Sequence, residues 1–308
     1  MTAYVLRRLL QGVGAILGVI TVTFILTYIV PVNPAQMIAG PSATPEVVQR
    51  ISHQLGLDQP LPVRYVHYLW NLVHFDMGRS YAQRTQVSAL VATHLPVTLK
   101  LMLTGIACEL LLGIPIGILS SVAQGSWWDR GFTLFAFVGV STPQFVVGLI
   151  LLYLFGYLVP WLPLGGYGNG DLTHYVLPAL SVGFAGAGWY ARVLRSSLID
   201  VLRQDYVRTA RAKGVKPRAQ VFRHALRNAL LPVIALVGLD LGVFMGGVIV
   251  VEQVFALPGL GQMMWQAIQV LDIPVIMGGV LMTAVFVVIG NLIADMIYPL
   301  LDPRIQYH

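Results

Sequence analysis

Three carboxylates, Glu109, Asp240 and Asp295, stand within or at the edge of apolar runs that otherwise carry no charge. An ionised group at membrane depth costs about 2.5–3.5 kcal/mol on insertion scales, so its presence asks for a purpose. Asp240 lies near the middle of its run, where a carboxylate could attract a cationic group. Two plainer roles compete: a protonated acid, or an acid hydrogen-bonded to a neighbouring helix. Glu109 stands beside Cys108. Asp295, with Asn291 one turn before it and Tyr298 after it, has a structural setting at the end of the last run.

A second concentration of reactive groups lies between Arg192 and Asn228. Ten Lys and Arg stand there against Asp200 and Asp205, a net charge of +8 in a chain whose total is +6. Other chemistry is missing. The chain has no Gly-x-x-x-x-Gly-Lys-Ser/Thr, His-Glu-x-x-His or Gly-x-Ser-x-Gly sequence, which argues against phosphate cradling and the common hydrolase constellations. The seven histidines are scattered, and the single cysteine excludes a disulfide framework or a cysteine-based zinc site.

The elements that must position these groups follow from composition. Of 308 residues, 56% are hydrophobic and only 10% are charged, with a mean hydropathy of +0.75. Soluble domains carry about 25% charged residues, so a soluble enzyme and a nucleic-acid-binding chain are both disfavoured. A bilayer-crossing helix needs about 20 apolar residues. Six stretches qualify: Leu9–Val30, closed by Pro31; Leu101–Ala123; the run after Arg130 to Val159; Val176–Ala191; Ala229–Val251; and Ile273–Ala294. Continuous rather than alternating runs read as helices, not as a barrel.

The first run is too long for a signal-peptide core and has no small-residue cleavage site, so it is expected to be retained. Six spans put the N-terminus, residues 124–130, residues 192–228 and the C-terminus on one side, with 14 basic residues against five on the other. The positive-inside rule therefore places both ends in the cytoplasm.

Between spans one and two, Thr44-Pro45-Glu46 reads as a helix start. Val47, Val48, Ile51 and Leu55 follow helical spacing, and Gly56 is a stop. Pro62 to Phe75, with Tyr65, Tyr68 and Trp70, suits a helix at the outer interface. In the basic loop, Asp205 to Lys213 forms one helix, with Tyr206, Thr209, Ala210 and Lys213 on one face. Gly214 breaks it, and Pro217 opens a second helix with the apolar stripe Val221, Phe222, Ala225, Leu226 and Ala229. Attraction to anionic lipid accounts for the charge but not for this helix–glycine–helix punctuation.

These residues carry a resemblance. Asp205-Tyr206-Val207-Arg208-Thr209-Ala210-Arg211-Ala212-Lys213-Gly214, continued by His224-Ala225-Leu226-Arg227-Asn228-Ala229-Leu230-Leu231-Pro232, closely resembles the cytoplasmic signature of bacterial ABC-importer permeases. Its wording is similar to the dipeptide, oligopeptide and nickel branch. Leu55-Gly56-Leu57-Asp58-Gln59-Pro60, Gly113-Ile114-Pro115-Ile116-Gly117, Pro258-Gly259-Leu260-Gly261 and Asp302-Pro303-Arg304-Ile305 agree with that branch. The loop between spans three and four departs from the pattern, being short and rich in glycine (Gly165, Gly166, Gly168, Gly170).

The resemblance implies an all-α integral membrane protein with six spans, the type I ABC-importer permease fold and cytoplasmic termini. It implies residues 1–30 as an N-terminal segment and first span, 31–100 as an extracytoplasmic helical loop, and 101–308 as a five-helix core with a coupling loop at 192–228. The expected activity is translocation of dipeptides or oligopeptides across the bacterial cytoplasmic membrane. Expected partners are a homologous second permease, two ATPase subunits that bind ATP and Mg, and an extracytoplasmic peptide-binding protein, with no nucleic acid. The chain itself is expected to bind no cofactor or metal and not to be an enzyme. Nickel chelates or haem are alternative cargoes, and a proton-coupled carrier is a rival from another class.

The same resemblance implies that Tyr206, Arg208, Thr209, Ala210, Lys213, Gly214, Val215, His224, Arg227 and Asn228 couple to the ATPase. Tyr206, Ala210 and Lys213 would face it, while Arg208, Arg211 and Arg227 pair with its acids or steady the loop on lipid. Asp240, Glu109, Glu252 and Phe255 are candidates for the translocation path. The stretch Glu252-Gln253-Val254-Phe255, leading into Pro258-Gly259, reads as an outer loop near the substrate mouth, although a plain turn fits as well.

Overall fold

The computed structural model describes residues 2–29, 34–40, 42–54 and 56–301, and no strand forms among them. Pro31, Leu55 and the Asp302-Pro303-Arg304-Ile305 segment lie outside the described residues. The first apolar run is α1, Thr2–Ile29. The segment that follows α1 holds α2 (Pro34–Ala39), α3 (Pro45–Gln54) and α4 (Leu61–Val73). Gly56 takes φ +64° after α3. α4 lies on α1: Tyr65 and Tyr68 pack on Phe24 with ring centroids 5.1 and 5.8 Å away, and the Tyr65 hydroxyl meets Thr21 Oγ1 at 2.6 Å.

α5 (Val87–Val122) has 36 residues, about 54 Å at 1.5 Å per residue, and so outruns a bilayer core of about 30 Å. α6 (Trp127–Ser141) starts at a capping serine, Ser126, whose Oγ accepts the Asp129 amide at 3.3 Å. The third apolar run is not one straight span. Thr142-Pro143 ends α6, because the residue before proline is driven out of the helical region. α7 (Gln144–Leu151), continued by a π-helical turn Leu152–Leu158, leaves at 101° to α6.

α8 (Thr173–Leu202) is the central helix. Asp171, just before it, accepts the Thr173 hydroxyl at 2.7 Å and the Thr173 amide at 3.4 Å. These bonds hold its carboxyl below the usual carboxylate range. α9 (Asp205–Ala212), α10 (Pro217–Ala219), a π-helical turn Gln220–Ala225 and α11 (Leu226–Ala229) form the basic hairpin. α12 (Leu231–Gly247) follows, then α13 (Ile249–Val254), α14 (Leu260–Gln269) and α15 (Ile273–Leu301).

Three described helices are long and apolar enough to cross a membrane: Leu6–Thr27, Val87–Val122 and Ile273–Ile293. The bent pairs Trp127–Ser141 with Gln144–Leu158, and Pro217–Ala229 with Leu231–Gly242, bring the number to five. α8 is not among them. Its glycines, Trp189, Tyr190 and Arg192 hold its hydropathy down, and those small residues serve packing. A Cβ at Gly113 or Gly117 of α5 would lie 2.9 Å from the Ala187 or Ala191 carbonyl oxygen of α8. A Cβ at Gly188 would lie 2.3 Å from the Ala136 carbonyl of α6. Backbones this close are how helices associate where lipid supplies no hydrophobic drive.

Two apolar clusters result. One gathers Leu101, Tyr175, Leu177, Val251, Phe255 and Leu260; the other joins Tyr190, Leu194 and Leu198 of α8 to Val221, Ala225 and Ala229 of the basic hairpin.

Gly188→Ala must push backbone apart and is expected to cost about 1–3 kcal/mol. Gly131→Ala on α6, where nothing lies within 4 Å of the added Cβ, is expected to be neutral or to stabilise by about 0.5–1 kcal/mol. Thermal unfolding of the two variants in detergent, compared with the unaltered chain, checks this ordering.

Candidate functional site

The basic hairpin is built from local rules. Gly214 takes φ +77° with open space around it, so the backbone angle, not room, requires glycine. Its amide donates to the Arg211 carbonyl at 3.0 Å, and the Val215 amide donates to Ala210 at 3.2 Å. This double closure is a Schellman motif. Gln220, missed by the sequence reading, locks the corner: its Nε2 donates to the Val215 carbonyl at 2.6 Å and its Oε1 accepts Arg211 Nε at 3.3 Å. Across the hairpin, Tyr206 donates to the His224 carbonyl at 3.3 Å and accepts Asn228 Nδ2 at 2.9 Å.

Arg208, Thr209, Lys213, Gly214, Arg227 and Asn228 are exposed, while Val215 and His224 are half-buried. Two expectations are corrected. Ala210 does not share the outer face; it turns inward beside Val207, which is fully buried. Phe222 leaves the expected apolar stripe and is 61% exposed, because the π-helical turn through Gln220–Ala225 adds a residue to the repeat and shifts the register.

The arginine of α8 nearest this hairpin is not free positive charge. Arg195 grips Asp129 of α6 in a two-pronged pair, Nε to Oδ1 and Nη2 to Oδ2, both at 2.8 Å. Ser120 of α5 donates to the same carboxylate at 2.6 Å, and the Gly125 amide does so at 2.9 Å. Three helices are thereby joined at one end of the bundle.

At membrane depth, Glu109 of α5 and Asp240 of α12, 131 residues apart in sequence, come close enough for their carboxyls to interact directly. The Tyr190 hydroxyl of α8 donates to Asp240 Oδ2. Together they line a cavity of about 250 Å³ with Gln144 at the α6–α7 elbow, Gly186, Trp189 and Phe244. Non-helical backbone at this depth is tolerated where it is enclosed by protein or lines a cavity, and the elbow satisfies that rule. Asp295 is elsewhere, paired with Arg8 Nε at 3.2 Å.

Glu252 and Phe255 do not join this cavity. Glu252 is fully buried; its Oε1 accepts Thr98 Oγ1 at 2.6 Å and its Oε2 accepts the Gln262 amide at 2.9 Å. The carboxylate caps the start of α14, whose Leu260 amide donates to Thr98 Oγ1 at 2.8 Å. An anion there is stabilised by the helix dipole. Phe255 is 1% exposed, and its carbonyl accepts the Gly166 amide at 2.8 Å. Asp272, also overlooked in sequence, is 2% exposed and accepts Ser80 Oγ and the amides of Tyr81 and Ala82. Near it, a cleft of about 1460 Å³ opens between α4 and the start of α15, with Arg64, His67, Asn71 and Arg79 among mostly apolar walls.

A bent-helix bundle with a basic hairpin at one end and an acidic cavity inside defines a class: multi-pass helical membrane proteins. The comparisons place it within that class. Residues 113–307 match the binding-protein-dependent transport system inner membrane component family, and residues 1–102 match the N-terminal family of the same membrane component. The chain belongs to the binding-protein-dependent transport system inner membrane component family.

It is 41% identical over 308 residues to the glutathione transport system permease protein GsiC of Salmonella typhimurium, covering all of both chains. It is 40% identical over 313 residues to a Brucella abortus protein named for a peptide transport system permease, again with full coverage of both. Its fold is similar to that of the MetNI methionine ABC transporter in an inward-facing conformation, with TM-score 0.57 and 20% identity over 69% of this chain and 96% of that one.

Glu252→Ala strips the α14 cap and strands the buried Thr98 hydroxyl and Gln262 amide, at an expected cost of about 1–3 kcal/mol. It should lower thermal stability without changing which cargo competes best, a separation read by unfolding and by competition uptake on one preparation.

Proposed function

We propose that this chain is the membrane-spanning permease subunit of an ATP-driven importer that moves peptides across the bacterial cytoplasmic membrane. The observation that carries the reading is the rigid hairpin from Asp205 to Ala229, closed by its Schellman corner and packed through Val221, Ala225 and Ala229 onto Leu194 and Leu198 of α8. A short lever fixed to a long helix transmits force, because packed elements shift as units.

In this reading α8 is the sixth span, less apolar than the others because neighbouring helices rather than lipid cover it. Both termini are then cytoplasmic, as the 14 to five distribution of basic residues supports. The exposed face of Tyr206, Arg208, Thr209, Lys213 and Arg227 docks on one ATPase subunit. ATP and Mg belong to the two ATPase partners, and this chain supplies no hydrolytic group. A homologous second permease completes the path around the Glu109–Asp240 cavity, and exposed apolar residues such as Leu103, Leu111, Phe137 and Leu149 suit lipid or that subunit. The large cleft beside α4 faces an extracytoplasmic binding protein. Peptide cargo is favoured by the names of the two full-length relatives, GsiC and the Brucella protein.

Proteoliposomes holding the chain with its second permease, ATPases and binding protein are expected to accumulate labelled dipeptide only when ATP is supplied on the ATPase side. Uptake that ignores ATP and follows a proton gradient overturns the assignment. ATPase stimulation without peptide uptake redirects it to nickel chelates or haem. Gly214→Val forces a branched residue into left-handed backbone at about 1–2 kcal/mol, and is expected to cut ATP-driven uptake at least tenfold while the four membrane and ATPase subunits still co-purify.

A further inference from the structure

We propose that the cavity lined by α5, the α6–α7 elbow, α8 and α12 binds an organic ammonium group of the transported molecule, held beside the adjoining Glu109 and Asp240 carboxyls. The proposal rests on the permease reading and adds the chemical group the path recognises.

Its lining is unbalanced. Two carboxylates face the space, while its other lining residues are Val140, Gln144, Ala185, Gly186, Trp189, Tyr190 and Phe244; none is a Lys or Arg. Carboxyls facing each other away from water are relieved either by a proton shared between them or by a positive partner beside them. The acids are also incompletely satisfied. Tyr190 serves Asp240, but Glu109, 3% exposed, keeps a buried Oε2 that receives no hydrogen bond. An ammonium group brings three donors and no acceptor, which suits this set of oxygens.

The rest of the wall is aromatic. Trp189, Tyr190 and Phe244 surround the acids, and ring faces attract cations most strongly where water is scarce. The Glu109 carboxylate is held in place by what α8 lacks: a Cβ at Gly186 would lie 1.7 Å from its Oε1. At about 250 Å³ the space is below the 300–1,000 Å³ of drug-sized sites. It accepts one end of a peptide and not the whole of it.

The test is equilibrium dialysis of labelled alaninamide, a small cationic amine without a carboxylate, against the purified full importer. Saturable binding is expected, competed by unlabelled alaninamide and not by neutral N-acetylalaninamide. Asp240→Asn and Glu109→Gln are each expected to weaken it at least tenfold, and Asp200→Asn, an exposed acid on the far end of α8, to leave it unchanged. Thermal unfolding of each variant identifies those that fail to fold, and for these Gly186→Ala serves as the second probe, displacing the carboxylate without removing it and weakening binding likewise.

Absence of saturable binding, equal competition by the acetylated amide, or binding unaltered in well-folded Asp240→Asn and Glu109→Gln overturns the proposal. Full competition by sodium ions at equal concentration also overturns it, in favour of an inorganic cation site. ATP-driven peptide uptake, measured on the same preparation, reports separately on the permease assignment.

Discussion

The close approach of α8 to its neighbours is the constraint from which the remaining structure follows. Gly113 and Gly117 let α5 reach the α8 backbone, and Gly188 lets α8 reach the carbonyl of Ala136 in α6. In a bilayer, where side-chain burial contributes little between helices, contact at backbone distance supplies the attraction. α5, α6 and α8 thereby form one unit, tightened at the hairpin end by the Arg195–Asp129–Ser120 network. An ion pair of this kind is worth little by itself, but it fixes the registration of three helices at the point where the basic hairpin begins.

The unit has two consequences for function. Its interior cannot be filled everywhere, because the elbow between α6 and α7 turns the chain by 101° and leaves a space against α8. Acids from α5 and α12 enter that space. Its hairpin end is stiff, since Val221, Ala225 and Ala229 are buried against α8 and the glycine corner is closed by three backbone or side-chain bonds. In the proposed function, a displacement of the hairpin is passed to α8 and on to α12, both of which wall the cavity. The geometry joins the basic hairpin to a membrane-depth site through packed helices.

The region around α13, α14 and the start of α15 is held by a different device, buried carboxylates that cap backbone. Glu252 closes the start of α14, and Asp272 ties the Ser80–Ala82 turn to the start of α15. Both acids are satisfied by several donors each, whereas the Glu109–Asp240 pair has a single hydroxyl between two carboxyls. Donor supply separates the acids that hold the fold from those that face a cavity.

Much of the architecture was legible in the amino-acid order. Apolar runs set by bilayer thickness, Gly214 as a break, Pro217 as a helix start and the stripe of Val221, Ala225 and Ala229 are properties of neighbouring residues, and local spacing is what a sequence displays. The basic hairpin was readable for the same reason, and with it the family. Tertiary structure alone decided which acids meet. Tyr190 and Asp240 are 50 residues apart, Thr98 and Glu252 are 154 apart, and Ser80 and Asp272 are 192 apart. No periodicity links such positions. A carboxylate is written identically whether it caps a helix, grips an arginine or waits in a cavity; only the three-dimensional count of donors around it, set by how closely the glycine faces let the helices approach, distinguishes the three.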